Sequence, residues 1–292
     1  LSTADLTRLF SLAAIWGASF IFYRVVAPVL GPIWTAETRV LIAGMVLLAF
    51  ALATKARLEM RQYWRWYALV GVLNSGLPFA LIAFAQLKLT ASMAAILNAT
   101  TPLWGALIGT LFFREALNAS KGAGLILGVL GVIVLVGWSP LEPGLQTTLS
   151  ILAMLGATAS YGLAANLART HLRGAPTLGM AVGSQLASSL ALLPLMPFDL
   201  PRSTPDTLVI ACVLALALVC SALAYVLYFR LITDLGATRA LTVTFLVPIF
   251  GTLWGAVFLG EHITPEKILA CAIILCGAGL VTGLIGSRSA RT

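Results

Sequence analysis

Apolar residues run through this chain in long blocks, and short polar clusters punctuate them. Apolar positions surround most blocks on every side, so no polar stripe marks an outer face and the pattern does not say which face looks inward. Block length carries the signal instead. A helix of about 20 apolar residues crosses the hydrocarbon layer of a bilayer. Ten blocks fit, at 7–27, 33–54, 66–87, 91–113, 120–138, 148–169, 177–198, 207–232, 238–259 and 265–285. The pattern predicts an all-α, polytopic membrane protein with ten transmembrane helices and no soluble domain.

Composition agrees. Hydrophobic residues make up 60% and charged residues 10% of the 292 positions, where soluble domains carry roughly 25% charge. Gly and Pro inside the blocks suit membrane helices, in which small residues allow close approach. The first block is long, contains Trp16 and Arg24, and leads straight into the second, so it is expected to remain as a helix and not to be a cleaved signal segment.

The sequence also repeats. Displaced by 146 residues, TPLWGALIGTLFFREALNASK at Thr101 to Lys121 falls on VPIFGTLWGAVFLGEHITPEK at Val247 to Lys267. Pro102 meets Pro248, Gly105 meets Gly251, Gly109 meets Gly255, Glu115 meets Glu261 and Lys121 meets Lys267. Two five-helix repeats are expected, at 1–144 and 145–292, and duplication in so apolar a chain points to a transporter.

In a soluble protein a net charge of +8 would invite nucleic acid, but here the cations follow the loops. With ten spans, one side collects Arg8, Lys55, Arg57, Arg61, Arg65, Arg114, Lys121, Arg169, Arg173, Arg230, Arg239, Arg288 and Arg291, and the other holds Lys88, Arg202 and Lys267. The positive-inside rule then puts both termini in the cytoplasm. An odd number of spans per repeat makes the second repeat inverted. The expected surroundings are a lipid bilayer, with no nucleic-acid partner.

Candidate functional positions lie where helices weaken. Pro102 and Pro248 fall mid-span, and each leaves the carbonyl four residues earlier, at Asn98 and Thr244, without its donor. The run NSGLP, from Asn74 to Pro78, predicts a kink in the third span. These breaks read either as a substrate site between the repeats or as packing devices. Trp34, Trp64, Trp66 and Trp138 sit at span ends as interfacial anchors. Trp16, Trp104, Trp254 and Tyr161 sit mid-span; Trp16 matches Tyr161 at an offset of 145 and Phe79 matches Tyr225 at 146. Trp16, Phe79, Asn98, Tyr161, Tyr225 and Thr244 are the candidate substrate contacts, with Pro78, Pro102 and Pro248 as hinges.

Ionisable residues inside the spans are few: Arg24, Glu37 and Arg39 near outer ends and Arg230 near an inner one. Arg24 is expected either to pair with Glu37 or to snorkel. With no carboxylate at the centre, a proton relay is not expected. Glu115 and Glu261 are expected to cap or pair at helix ends, and Thr264 with Pro265 to open the last helix. Cys212, Cys220, Cys271 and Cys276 read as small buried hydrophobes without a disulfide or metal pattern. His171 and His262 lie in loops, GAGLILGVLG at Gly122 to Gly131 reads as helix packing, and neither an enzyme nor a cofactor is expected.

WGASF at Trp16 to Phe20, with the frame Pro102, Glu115, Leu117, Gly122 and Gly128 echoed by Pro248, Glu261, Ile263 and Gly277, resembles the EamA branch of the drug/metabolite transporter superfamily. The resemblance covers nearly the whole chain. Ala270 stands where a glycine is usual, and Tyr161-Gly162 replaces the Trp-Gly of the first helix. Within the family the likeness is to YddG-type exporters of aromatic and other neutral amino acids. It implies a bacterial inner-membrane exporter working by alternating access, by facilitated diffusion in the absence of a central carboxylate. Trp16, Phe79 and Tyr161 would then wrap an apolar side chain, and the carbonyls near Asn98 and Thr244 would serve the polar end. Export of another metabolite or drug class, or lipid flipping, are the alternatives.

Overall fold

The computed structural model describes residues 3–139, 142, 144–235 and 242–285, and among these all regular structure is helical. The passes are α1 (Thr3–Leu30), α2 (Pro32–Ala53), α3 (Met60–Ala85), α4 (Ala91–Phe112), α5 (Ala119–Gly137), α6 (Leu145–His171) and α7 (Thr177–Phe198). Then come α8, running from Thr207–Leu214 through Ala215–Leu223 to Ala224–Leu235, α9 (Val243–Leu259) and α10 (Pro265–Thr282). Nine are long and apolar enough to span a membrane, and α9 is a shorter apolar helix of 17 residues. The expected start of the ninth span at 238, and Arg239, Arg288 and Arg291, lie outside the described residues. Phe112, Ile126, Val129, Val257 and Phe258 are exposed, an apolar exterior that lipid covers and water would not.

Local chemistry ends the helices. Gly31, at φ 82°, turns the chain between α1 and α2, and Asp199 Oδ2 accepts the Ile33 N–H at 2.8 Å. Thr90, Asn118 and Asp206 cap α4, α5 and α8. Thr264 caps α10 with Pro265 in its first turn, as expected.

Glycine sets how closely the two halves pack. A Cβ on Gly162 would lie 2.7 Å from the Gly105 nitrogen, and one on Gly17 would lie 2.8 Å from the Gly251 nitrogen. The repeat offsets make these the same pair of positions, joining α6 to α4 and α1 to α9. Helices α5 and α10 approach in the same way, with a Cβ on Gly124 falling 2.6 Å from the Gly277 carbonyl oxygen.

The matched glutamates both finish a helix, with different partners. Glu261 accepts the N–H groups of Ala91 at 2.7 Å and Ser92 at 2.9 Å, and the Ser92 hydroxyl. A carboxylate there meets the free donors and the positive end of α4. Glu115 instead takes Lys121 Nζ at 3.0 Å and Arg169 Nη2. Burial pushes the Glu115 carboxyl up, but its hydrogen bonds and ion pairs with Arg169 and Lys121 outweigh that and hold it below the usual carboxylate range. That cluster therefore supports the fold at neutral pH and loosens only as pH falls through the lowered value. Glu261→Ala, which strands two backbone donors, is expected to cost about 1–3 kcal/mol, read as a lower unfolding midpoint in detergent; Glu261→Gln should recover part of it.

Three side-chain expectations change. Arg24 Nη1 donates to the Gln86 carbonyl at 2.6 Å, and Glu37 accepts from Ser189 Oγ at 2.6 Å, so Arg24 and Glu37 do not pair. Helix α7, which packs against α2, supplies the serine. Trp64 and Trp138 are exposed anchors, whereas Trp34 donates to the Met196 carbonyl and Trp66 stacks on His171 at 3.6 Å. Cys212 and Cys220 are buried thiols and Cys271 is half-buried, but Cys276 is exposed, because its side of α10 faces away from α5.

Candidate functional site

Within the spans three helices depart from regular α geometry, and α7 besides ends in a 3₁₀ stretch at Leu193–Phe198. In α3 the stretch Val72–Gly76 is a π-helical turn, at the place where NSGLP predicts a kink. Pro78 cannot donate to Asn74, and the Leu77 N–H reaches back five residues to the Val72 carbonyl. In α8 a second π-helical stretch occupies Ala215–Leu223. The 146-residue offset carries the first turn onto 218–222, and Ser75 onto Ser221, yet ALALVCSAL contains no proline, glycine or asparagine. Helix α4 breaks between Asn98 and Thr101, as Pro102 predicts.

The carbonyl of Asn98 is not bare, as expected from the proline alone: Thr101 Oγ1 donates to it at 2.8 Å. Thr100 Oγ1 bonds the Leu97 carbonyl and Thr158 on α6. Helix α9 runs without interruption through Pro248, so the paired break does not form at Thr244, which lies in the first turn of that helix and is itself engaged in an interaction. Positions 237–241, matching the first turns of α4, lie outside the described residues.

Helix α6 braces these irregular segments from one short stretch. Thr158 meets the α4 break at 3.1 Å, Ser160 Oγ donates to Leu73 in the α3 π-turn at 2.6 Å, and Gly162 touches Gly105. Tyr161, between them, packs against the hydrophobic cluster that holds Tyr23 and Phe79. Helix α1 repeats the plan: Ile15, which matches Ser160, accepts from Cys220 Sγ in the α8 π-turn at 3.2 Å, and Trp254 Nε1 donates to Ala14.

At the centre of this bracing stands Arg39, 5% exposed. Its Nε donates to Ser221 Oγ at 2.8 Å, one terminal nitrogen to the Tyr23 hydroxyl at 2.7 Å, and the other to the Cys220 carbonyl at 3.3 Å. The guanidinium carbon lies 3.8 Å from the Phe79 ring centroid and 5.2 Å from that of Tyr23. Helices α1, α2 and α3 from one half and α8 from the other thus meet on one cation. Tyr225 packs against a neighbouring cluster that holds Val182 and Ala222, and the Tyr228 ring lies 5.3 Å from that of Trp16.

Of the six candidate contacts, Phe79 touches Arg39, Trp16 and Tyr161 pack against the same hydrophobic cluster as Phe79 and Tyr225 against a second one, while Asn98 and Thr244 are not among the partners of Arg39. Pro78 and Pro102 adjoin real irregularities and Pro248 does not. Arg39, Tyr23 and Ser221 are absent from the candidate set. Arg39 stands about 10 Å along α2 from Pro32 at 1.5 Å per residue, and its side chain is buried. The repeat itself held the missed signal, since a kink expected around Ser75 implies one around Ser221.

A cavity of about 490 Å³ lies outside this centre, between α2, α3 and α7, lined by Ile33, Val72, Leu77, Ala80, Phe84 and Leu192, with Asp199 and Arg202 also on its wall. Among the described residues no group of three or more His, Cys, Asp or Glu could hold a metal ion.

A polytopic helical bundle whose apolar exterior suits lipid and whose polar side chains converge on a buried cation belongs to the class of multi-pass membrane proteins. The EamA-like transporter family matches the chain twice, over residues 6–137 and 148–283, and the chain belongs to that family. A probable amino-acid metabolite efflux pump of Salmonella typhimurium is 25% identical over 96% of this chain and 95% of its own length. An S-adenosylmethionine/S-adenosylhomocysteine transporter of Chlamydia trachomatis is 25% identical over 94% and 87%. A chloroplastic WAT1-related protein of Arabidopsis thaliana is 25% identical over 94% of this chain and 68% of its own. A solved crystal structure superposes with a TM-score of 0.68 over 97% of this chain and 98% of that one, at 21% identity, and shares the fold.

Proposed function

We propose that this protein exports neutral amino acids, aromatic ones included, and related metabolites across a bacterial inner membrane. Two inverted five-helix halves, 1–144 and 145–292, alternate between inward-open and outward-open states, with both termini cytoplasmic. The observation that carries this reading is the central assembly of Arg39 with Tyr23, Phe79 and Ser221, drawn from helices of both halves, against whose hydrophobic cluster Trp16 and Tyr161 pack. Rocking the halves against each other opens that assembly to one side and then the other. The π-turns of α3 and α8 and the break in α4 supply bending points beside it. The relatives' printed names, an amino-acid metabolite pump and a carrier of an amino-acid derivative, support the substrate class.

Transport runs down the substrate's own gradient in this reading. The one carboxylate buried among the described residues is Glu37, at 1% exposure, with Oε1 on Ser189 and Oε2 without a hydrogen bond. The test is efflux of preloaded radiolabelled Phe, Leu, Thr and Glu from proteoliposomes, with and without a pH gradient. Phe and Leu are expected to leave faster than Glu and to ignore the gradient, and Tyr161→Ala should slow them by about tenfold, near 1.4 kcal/mol. A gradient-driven response lost in Glu37→Gln would replace facilitated diffusion with proton coupling. Efflux of no amino acid would end the proposed substrate class.

A further inference from the structure

Arg39 presents a problem that the fold alone does not resolve. It is the only Lys or Arg that is buried among the described residues, and no Asp or Glu among them lies within 4.0 Å of it. Its three bonding partners, Ser221, Tyr23 and the Cys220 carbonyl, are all neutral. A guanidinium offers five N–H groups, so two remain beyond these bonds. Burying an ion costs several kcal/mol unless an opposite charge meets it. Neutral acceptors and the Phe79 face lower that cost without cancelling the charge.

A purely structural tie between α1, α2 and α8 needs no charge, since a neutral donor such as glutamine would join the same hydroxyls more cheaply. A fixed positive charge between two halves of a carrier instead suits an anion that arrives and leaves. Its number also matters. One buried cation balances a single negative charge and leaves a phosphate monoester, with nearly two, underpaired. Its planar fork fits the two oxygens of a carboxylate.

We infer that Arg39 is the carboxylate-binding residue of the transport site, and that the transported molecule is a small monocarboxylate, held by the two remaining N–H groups with its apolar part against Phe79 and Tyr161. The inference rests on the transporter reading above and deepens it. It fixes the acidic end of the substrate and leaves the amine free to vary.

Two measurements on the full chain test it separately from that reading. In proteoliposome counterflow of radiolabelled Phe through the wild-type protein, unlabelled Phe and 3-phenylpropionate should compete. Phenylalaninamide and phenethylamine, which lack the carboxylate, should be weaker by about a hundredfold or more, because a site built around a buried polar group rejects a ligand that cannot meet it. Arg39→Met should erase that preference and Arg39→Lys should keep part of it. If neither variant folds, the wild-type competitor series decides alone. Equal competition by the carboxylate-free compounds overturns the role of Arg39 and leaves transport standing. If Phe is not carried at all, thermal shifts of the detergent-purified protein decide: stabilisation by 3-phenylpropionate but not Phe or phenylalaninamide retains Arg39 and discards amino acids, and no stabilisation by either carboxylate overturns the proposal.

Discussion

Tyr23→Phe combined with Ser221→Ala is expected to destabilise the protein by about 3–5 kcal/mol, because both changes strip acceptors from a charge that stays buried. Each alone should cost about 1–3 kcal/mol. The Arg39 Nε reaches Ser221 at 2.8 Å and a terminal nitrogen reaches Tyr23 at 2.7 Å, and neither substitution leaves room for more than the lost oxygen to be replaced. The diagnostic feature is the dependence on Arg39. In an Arg39→Met background no charge remains to be stranded, so the same pair should cost under about 1 kcal/mol. Unfolding in detergent across the four-protein cycle reads the difference directly. Equal costs in both backgrounds would mean that Tyr23 and Ser221 matter for packing and not for the guanidinium.

The glycine contacts between the halves should respond in two distinct ways. A Cβ on Gly251 falls 2.4 Å from the Ala95 Cβ, with its next neighbours at 3.6 Å. Gly251→Ala is thus expected to lower stability by about 1–3 kcal/mol, and Ala95→Gly in the same chain should restore most of the loss. Gly162→Ala meets the Gly105 nitrogen at 2.7 Å and the Trp104 carbonyl carbon at 2.9 Å. Its clash is with backbone, no trimmed side chain relieves it, and α6 must separate from α4. Gly122→Ala, with nothing within 4 Å, is the neutral comparison. Yield of monodisperse protein and the unfolding midpoint are the readouts; recovery of Gly162→Ala by a distant side-chain truncation would contradict the backbone contact.

Much of the fold is legible in the sequence because the bilayer simplifies the problem. Lipid offers no hydrogen bonds, so each apolar block must close its own backbone as a helix, and block length alone announces the ten passes. The Pro102 break and the Asn74–Pro78 kink were legible for the same local reason, a missing N–H. The α8 π-turn was not: nothing in ALALVCSAL lacks a donor, and the widened stretch is accompanied by contacts of Cys220 with Ile15 and of Ser221 with Arg39, from helices far away in sequence. Pro248 shows the converse. The local rule marked a break, and α9 accommodates the proline within one helix.

The candidate site divides along the same line. The repeat offset paired Trp16 with Tyr161 and Phe79 with Tyr225; Phe79, Trp16 and Tyr161 share one hydrophobic cluster, and Tyr225 packs against another. The expectation of a bare carbonyl at Asn98 fails because Thr101, three residues on, already supplies a hydroxyl to it. Arg39 is missing from the candidate set because the sequence shows only that it lies near the outer end of its span, not what it turns towards.

By itself, then, the sequence determined the solvent, the helical class, the positions of the passes, the internal duplication and the resemblance to a transporter family, all of which follow from local apolar length and from residue identities in register. Only the tertiary structure decided which faces meet: that Glu37 turns to Ser189 and not Arg24, and that Arg39 turns inward to Tyr23, Phe79 and Ser221. Helices that are apolar all round carry no stripe to orient them. Their rotation is set by glycine contacts and a few buried polar groups that find each other across the two halves, and that information lies in pairs of distant residues.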